Sequence, residues 1–94
     1  MDKKYNTVSQ WINDGGLRAG FSPLENPAKE TAKAIGFKAS GFDSYGYEKA
    51  VIAWFPKSQV IKVANDYYEN GEAEMFLVPQ WLMDKKRLEG LVIL

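Results

Sequence analysis

Tyr45-Gly-Tyr-Glu-Lys49 sets a tyrosine and a lysine at the Tyr-x-x-x-Lys spacing that one class of dehydrogenases uses. There the lysine lowers the tyrosine pKa beside a nicotinamide. That chemistry needs a dinucleotide fold with a Gly-x-Gly-x-x-Gly turn, and the chain has neither the turn nor the length for it. Lys57 and Ser58 suggest a Ser–Lys dyad, but neighbours on an extended chain point to opposite faces and are badly placed to share a proton. Asp66, Glu69, Glu72 and Glu74 flank Asn70-Gly71 and offer carboxylates to a cation. Calcium loops use a tighter acidic spacing around a defined glycine, so these four read as a solvated acidic tip.

The totals exclude more chemistry than they offer. The 94 residues contain no cysteine and no histidine. Disulfides, thiolate metal sites and cysteine nucleophiles are thereby removed, as are the commonest general base and transition-metal ligand. An enzyme is not expected, nor a cofactor, nor a metal site. No 18-residue apolar run is present and the start, Met1-Asp-Lys-Lys4, leads into no apolar stretch. The expectation is a cytoplasmic protein without a membrane anchor.

Twelve basic and twelve acidic residues cancel overall. Residues 1–62 hold nine Lys/Arg against six Asp/Glu, whereas residues 63–94 hold three against six. In the basic part, Lys33, Lys38, Lys49, Lys57 and Lys62 interleave with Tyr45, Tyr47 and Trp54. Lysines track phosphates and aromatics stack bases, so Lys33, Lys38, Lys49 and Lys62 are candidate nucleic-acid contacts. Net neutrality weighs against that reading, because a nucleic-acid-binding domain is expected to be basic. Tyr45 and Tyr47 lie in a polar, glycine-containing loop where core packing does not claim them. With Lys57 they are the candidate contacts to a protein partner.

These residues need a scaffold, and the hydrophobic pattern supplies one. Residues 50–55, Ala-Val-Ile-Ala-Trp-Phe, contain no polar side chain. As a strand this run is apolar on both faces, which places it in the middle of a sheet with Trp54 in the core. Pro56 ends it. Tyr5, Val8, Trp11 and Ile12 share one helical face, with Asp2 upstream as cap and Asn13-Asp-Gly-Gly16 as stop. Residues 14–30 are broken by glycine and proline into loop.

Two readings compete at residues 28–39: a helix over Ala28–Ile35, or a strand over Ala32–Ala39. The strand is preferred, with Gly36 marking a bulge or a close approach. Ser40–Glu48 links two strands. Asn70-Gly71 predicts a tight hairpin with positive φ at Gly71, joining a strand that ends near Tyr68 to a strand over Glu72–Val78. A helix over Ser58–Tyr68 is the alternative. Pro79 opens a last helix with Trp81 as core or staple residue, Lys85, Lys86 and Arg87 in its last turns and Gly90 as cap. Leu91–Leu94 reads as a short edge strand. The expected fold is a single α+β domain over residues 1–94, a small antiparallel sheet of three to five strands with short N- and C-terminal helices.

Lys33-Ala-Ile-Gly-Phe37, Trp54-Phe-Pro-Lys-Ser-Gln-Val60 and Val78-Pro-Gln-Trp-Leu82 together resemble a pattern in small proteins of bacteriophages, prophages and plasmids. There an extended Lys-Ala-Ile-x-Phe stretch precedes Trp-aliphatic-Pro-Lys-Ser-Gln and an aliphatic-Pro-x-Trp-Leu helix start. Phe55 replaces the aliphatic residue, and residues before 33 have no counterpart. The resemblance implies a mobile-element origin and no particular activity. The functional expectation is therefore a small non-enzymatic protein that binds a host or viral protein, for instance to inhibit a defence system. The alternative is a single-strand or duplex nucleic-acid-binding accessory protein.

Overall fold

The computed structural model describes residues 5–94. Along them run α1 (Val8–Asn13), β1 (Phe21–Leu24), β2 (Lys29–Glu30), β3 (Ala34–Phe42), β4 (Glu48–Pro56), β5 (Ile61–Ala64), β6 (Glu74–Pro79), α2 (Gln80–Leu88) and β7 (Val92–Ile93). Short 3₁₀ turns lie at Gly16–Ala19 and Lys57–Gln59. The fold is α+β, with its strands divided between two antiparallel sheets. One has the order β1-β6-β5. The other is built on β3, which takes β4 along one edge and β2 and β7 along the other.

The strand covered on both faces is β6, not the 50–55 run. Met75 and Leu77 point from β6 into a cluster with Tyr5, Val8, Trp11 and Val63. Val78 and half-buried Phe76 point the other way, to Ile35, Phe37, Ala53, Phe55 and Leu82. So α1 covers one face of the three-stranded sheet, while the β3–β4 sheet and α2 cover the other. β4 is an edge strand. Only Val51, Ala53 and Phe55 face inward, and Trp54 is 37% exposed, which corrects its placement in the core. The second apolar set of β4 is spent locally: Ile52 and Trp54 fold over Gly36 of β3 instead of meeting another layer.

Two hydrogen bonds fix which groups of β4 are free. Asp43 N donates to Tyr47 O at one end of the ladder and Lys57 N to Lys33 O at the other, both at 2.9 Å. Hydrogen-bonded and non-bonded pairs alternate along an antiparallel ladder. With unbroken register from Ala34↔Pro56 to Phe42↔Glu48, the odd-numbered residues of β4 bond β3. Glu48, Ala50, Ile52 and Trp54 turn their N–H and C=O to the open edge. Pro56 also falls in this outward set, where its missing N–H costs the sheet nothing.

Thr7 caps α1, its Oγ1 accepting from Gln10 N at 3.2 Å, and Asp2 lies outside the described residues. Gly15 and Gly16 end that element with φ of 120° and 59°. Residues 34–42 are strand, and Gly36 marks a close approach, not a bulge. Ser58–Tyr68 is not helical, since a 3₁₀ turn leads into β5.

The hairpin between β5 and β6 exists, but its turn is wider than expected. β5 stops at Ala64, and Gly71 has no positive φ. Asn65, not Asn70, directs the loop. Its Oδ1 accepts from Tyr67 N and Tyr68 N, and its Nδ2 donates to Tyr68 O and Glu72 O. The Asn65 N to Ala73 O bond, 2.9 Å, closes the ladder there, so the strands part before they reach Asn70-Gly71. At the C-terminal end Leu82 is buried, but Trp81 is 59% exposed and is not a core residue. Lys86 lies instead over the Phe55 ring, 5.7 Å from its centroid.

Candidate functional site

β3 and β4 form a hairpin ribbon within the four-stranded sheet, and its closed end is the turn Asp43–Tyr47. The turn is held by one side chain. Asp43 Oδ1 accepts from Tyr45 N at 2.9 Å and from Tyr47 N at 3.0 Å, and Gly46 N donates to Asp43 O at 3.0 Å. An aspartate bonding backbone N–H groups ahead of it is a standard way to fix a turn. Gly46 supplies the left-handed residue, with φ of 84°. This backbone presents Tyr45 and Tyr47 outward, 85% and 72% exposed, beside Phe42 at 63%. Three aromatic rings thus stand in solvent on a turn whose backbone is tied down.

Below the tip, the outer face of the ribbon is exposed at Lys38, Ala50 and Trp54 and half-buried at Ser40 and Ile52. Residues directly paired across an antiparallel ladder share a face. The outer rows are Phe42–Glu48, Ser40–Ala50, Lys38–Ile52 and Gly36–Trp54, with Val92 beside Ser40. The inner face near the tip is closed by Leu91, which meets Gly41. Sequence reasoning missed this outer face because an apolar residue on a strand is ordinarily assigned to the core. The signal was Gly36, a residue whose lack of a side chain leaves room for Ile52 and Trp54 above it.

Lys57 does not join the tyrosines. It sits at the other end of β4, roughly 30 Å from Tyr47 at the rise of an extended strand. Its Nζ bonds Glu30 Oε2 at 2.6 Å, and this hydrogen bond holds the Glu30 carboxyl below its usual range, with the lysine charge adding to the effect. Lys62 pairs with Glu74 at 3.0 Å. Both pairs line a cleft of about 520 Å³ between the two sheets, floored by Ile35, Val60 and Phe76. Its two lysines are each paired with a glutamate, Glu72 adds a third carboxylate to the lining, and among the described residues no Ser, Thr, Cys or His lines it.

The lysines proposed for nucleic acid do not share one surface. Lys38 lies on the outer face of the ribbon, Lys49 alternates with Ala50 onto the opposite face, and Lys62 belongs to the other sheet. Lys33 precedes β3. The acidic residues are partly structural as well. Asp66 Oδ1 accepts from Ser9 N at 2.8 Å in the first turn of α1, and that bond lowers its pKa. Among the described residues no group of three or more carboxylates is arranged to hold a metal ion. None of the described helices is long and apolar enough to cross a membrane. In comparison with known proteins, no family model, no curated protein and no solved structure matches the chain.

Proposed function

We propose that this chain is a small non-enzymatic interaction protein of a phage or mobile element, acting in the host cytoplasm and binding a host or viral protein through the tip of its β3–β4 ribbon. The observation that carries the reading is the exposure of Tyr45, Tyr47 and Phe42 on a turn fixed by Asp43. Tyrosine gives large contact area at low entropic cost, and a fixed backbone lowers that cost further. Catalysis is disfavoured by the absence of His and Cys and by the engagement of both cleft lysines, Lys57 and Lys62, in ion pairs with Glu30 and Glu74. Inhibition of a host defence system is one role such a protein would fill.

A second reading has its own support. Lys38 lies on the open face between Phe42 and Trp54, an arrangement suited to stacking bases and contacting a backbone phosphate. The separating experiment is affinity capture from host lysate with and without nuclease, using wild type and the Tyr45→Ala/Tyr47→Ala double variant. A specific protein retained after nuclease and lost from the variant supports protein recognition. Capture abolished by nuclease supports the alternative.

A further inference from the structure

The open edge of β4 is unusual for a protein that stays monomeric. Exposed edges are ordinarily blunted by bulges, by charges within the strand, by proline, or by a covering element. The β3–β4 register runs from Glu48 to Pro56 without a slip, so there is no bulge. Ala50 to Phe55 carry no charge. Pro56 stands at the far end, and among the described residues β4 pairs with β3 alone. The outward N–H and C=O groups of Glu48, Ala50, Ile52 and Trp54 form a regular template for another antiparallel strand.

We propose that this edge pairs with the same edge of a second copy of the chain, making a two-fold dimer with Ile52 on the axis. A continuous sheet requires residues of the same face to meet, so outward-bonding residues of one copy meet those of the other. With Ile52 facing the partner's Ile52, Trp54 meets the partner's Ala50, and the large ring lies against a small side chain on both sides of the axis. Val51 meets the partner's Ala53, Lys49 the partner's Phe55, and Glu48 the partner's Pro56, whose carbonyl still accepts. No like charges are paired. Centring the axis on Ala53 instead brings Lys49 against the partner's Lys57, and centring it on Val51 sets Glu48 beside the partner's Trp54. An isologous contact closes on itself, satisfies both edges and stops further growth. Zero net charge leaves no overall repulsion between copies.

The test is sedimentation velocity from about 1 μM to about 1 mM, the range that reads micromolar to millimolar association. Wild type is expected to shift toward twice its 10.6 kDa chain mass as concentration rises. Ile52→Glu faces Lys38 within its own chain but a like charge across the axis, so it is expected to stay monomeric and folded. Ile52→Lys is expected to be monomeric, and an equimolar mixture with Ile52→Glu to recover the dimer. Ile52→Pro removes an edge-facing N–H without breaking a β3–β4 bond and, if the lysine variant does not fold, provides the second monomeric control. A wild type that stays monomeric throughout overturns the proposal and leaves the edge to a strand from some other protein. So does a dimer that survives both charge variants, or a mixture that does not recover it.

Discussion

Trp54 lies across Gly36, its directly paired residue on β3. A Cβ added to Gly36 would fall 3.1 Å from Trp54 Cε3 and 2.5 Å from Ile52 Cγ2. Gly36→Ala therefore displaces both side chains from the outer face. Overpacking costs about 1–3 kcal/mol, while alanine recovers about 0.5–1 kcal/mol of strand preference. A net loss of about 1 kcal/mol is expected in urea unfolding, with a red shift in tryptophan emission as Trp54 moves into water. An unchanged midpoint and spectrum would contradict this contact.

Phe55 and Trp54 are neighbours with very different burdens. Phe55 is fully buried and meets Phe37 edge-on at 5.9 Å between centroids. Phe55→Ala is expected to cost about 3–5 kcal/mol, a large share of a total near 5–15 kcal/mol. Trp54→Ala, on the open face, is expected to cost about 1 kcal/mol and to leave a cooperative transition. Thermal melts of both variants check this, and the reverse ranking would restore Trp54 to the core.

The same pair shows how far the sequence was legible. A continuous apolar run ended by Pro56 identified β4, and at β3 the alternation over Ala32–Ala39 was preferred to a competing helix that Gly36 would break. The helices were marked by their stop and start residues, Asn13–Gly16 and Pro79. What alternation lacks is information about neighbours. An apolar second face on β4 looked like burial by another layer, but Gly36 on a different strand absorbed it, while β6 became the two-sided strand. The Asn70-Gly71 signal failed for a related reason. Asn65 organises the loop through four backbone groups, and the ladder ends before the favoured dipeptide is reached. At the candidate site, the exposure of Tyr45 and Tyr47 followed from the polar loop around them. The Asp43 clasp and the scattering of the lysines depend on backbone geometry and strand order, which spacing alone does not encode.

Asp66 ties the β5–β6 loop to α1, and this makes the tie sensitive to acid. Its pKa is lowered chiefly by the hydrogen bond from Ser9 N. A carboxyl depressed in the folded state adds stability above its unfolded pKa and loses it as pH falls through the folded value. Wild type is therefore expected to lose stability below the ordinary carboxylate range, from about pH 4 downward. Asp66→Asn should be less stable than wild type at pH 7 and should lose less of its stability on acidification. Urea midpoints at neutral pH and near pH 3 measure the difference. Parallel declines in the two proteins would remove Asp66 from the acid response.

Tyr45 and Tyr47 separate the two functional readings. Both side chains are exposed, and the turn that carries them is held by Asp43 and backbone groups, so truncating the rings leaves the fold's bonds in place. Surface truncations of this kind change stability by about 0.5 kcal/mol or less. Protein recognition at a neutral surface depends on aromatic anchors, with salt acting on rim charges and association rate. Electrostatic nucleic-acid binding instead releases counterions, and five or six phosphate contacts would give a log–log salt slope of about −3.5 to −5.4. Lys57 and Lys62 are engaged with Glu30 and Glu74, and Lys38 and Lys49 face opposite ways, so such a slope has little to draw on. The expected result is that Tyr45→Ala and Tyr47→Ala abolish partner capture with unchanged melting curves, while charge reversal at Lys33, Lys38 or Lys57 has a smaller effect. Micromolar binding to single-stranded DNA at physiological salt, lost on reversing Lys33 and Lys38 but kept without the tyrosines, would transfer the function to the nucleic-acid reading.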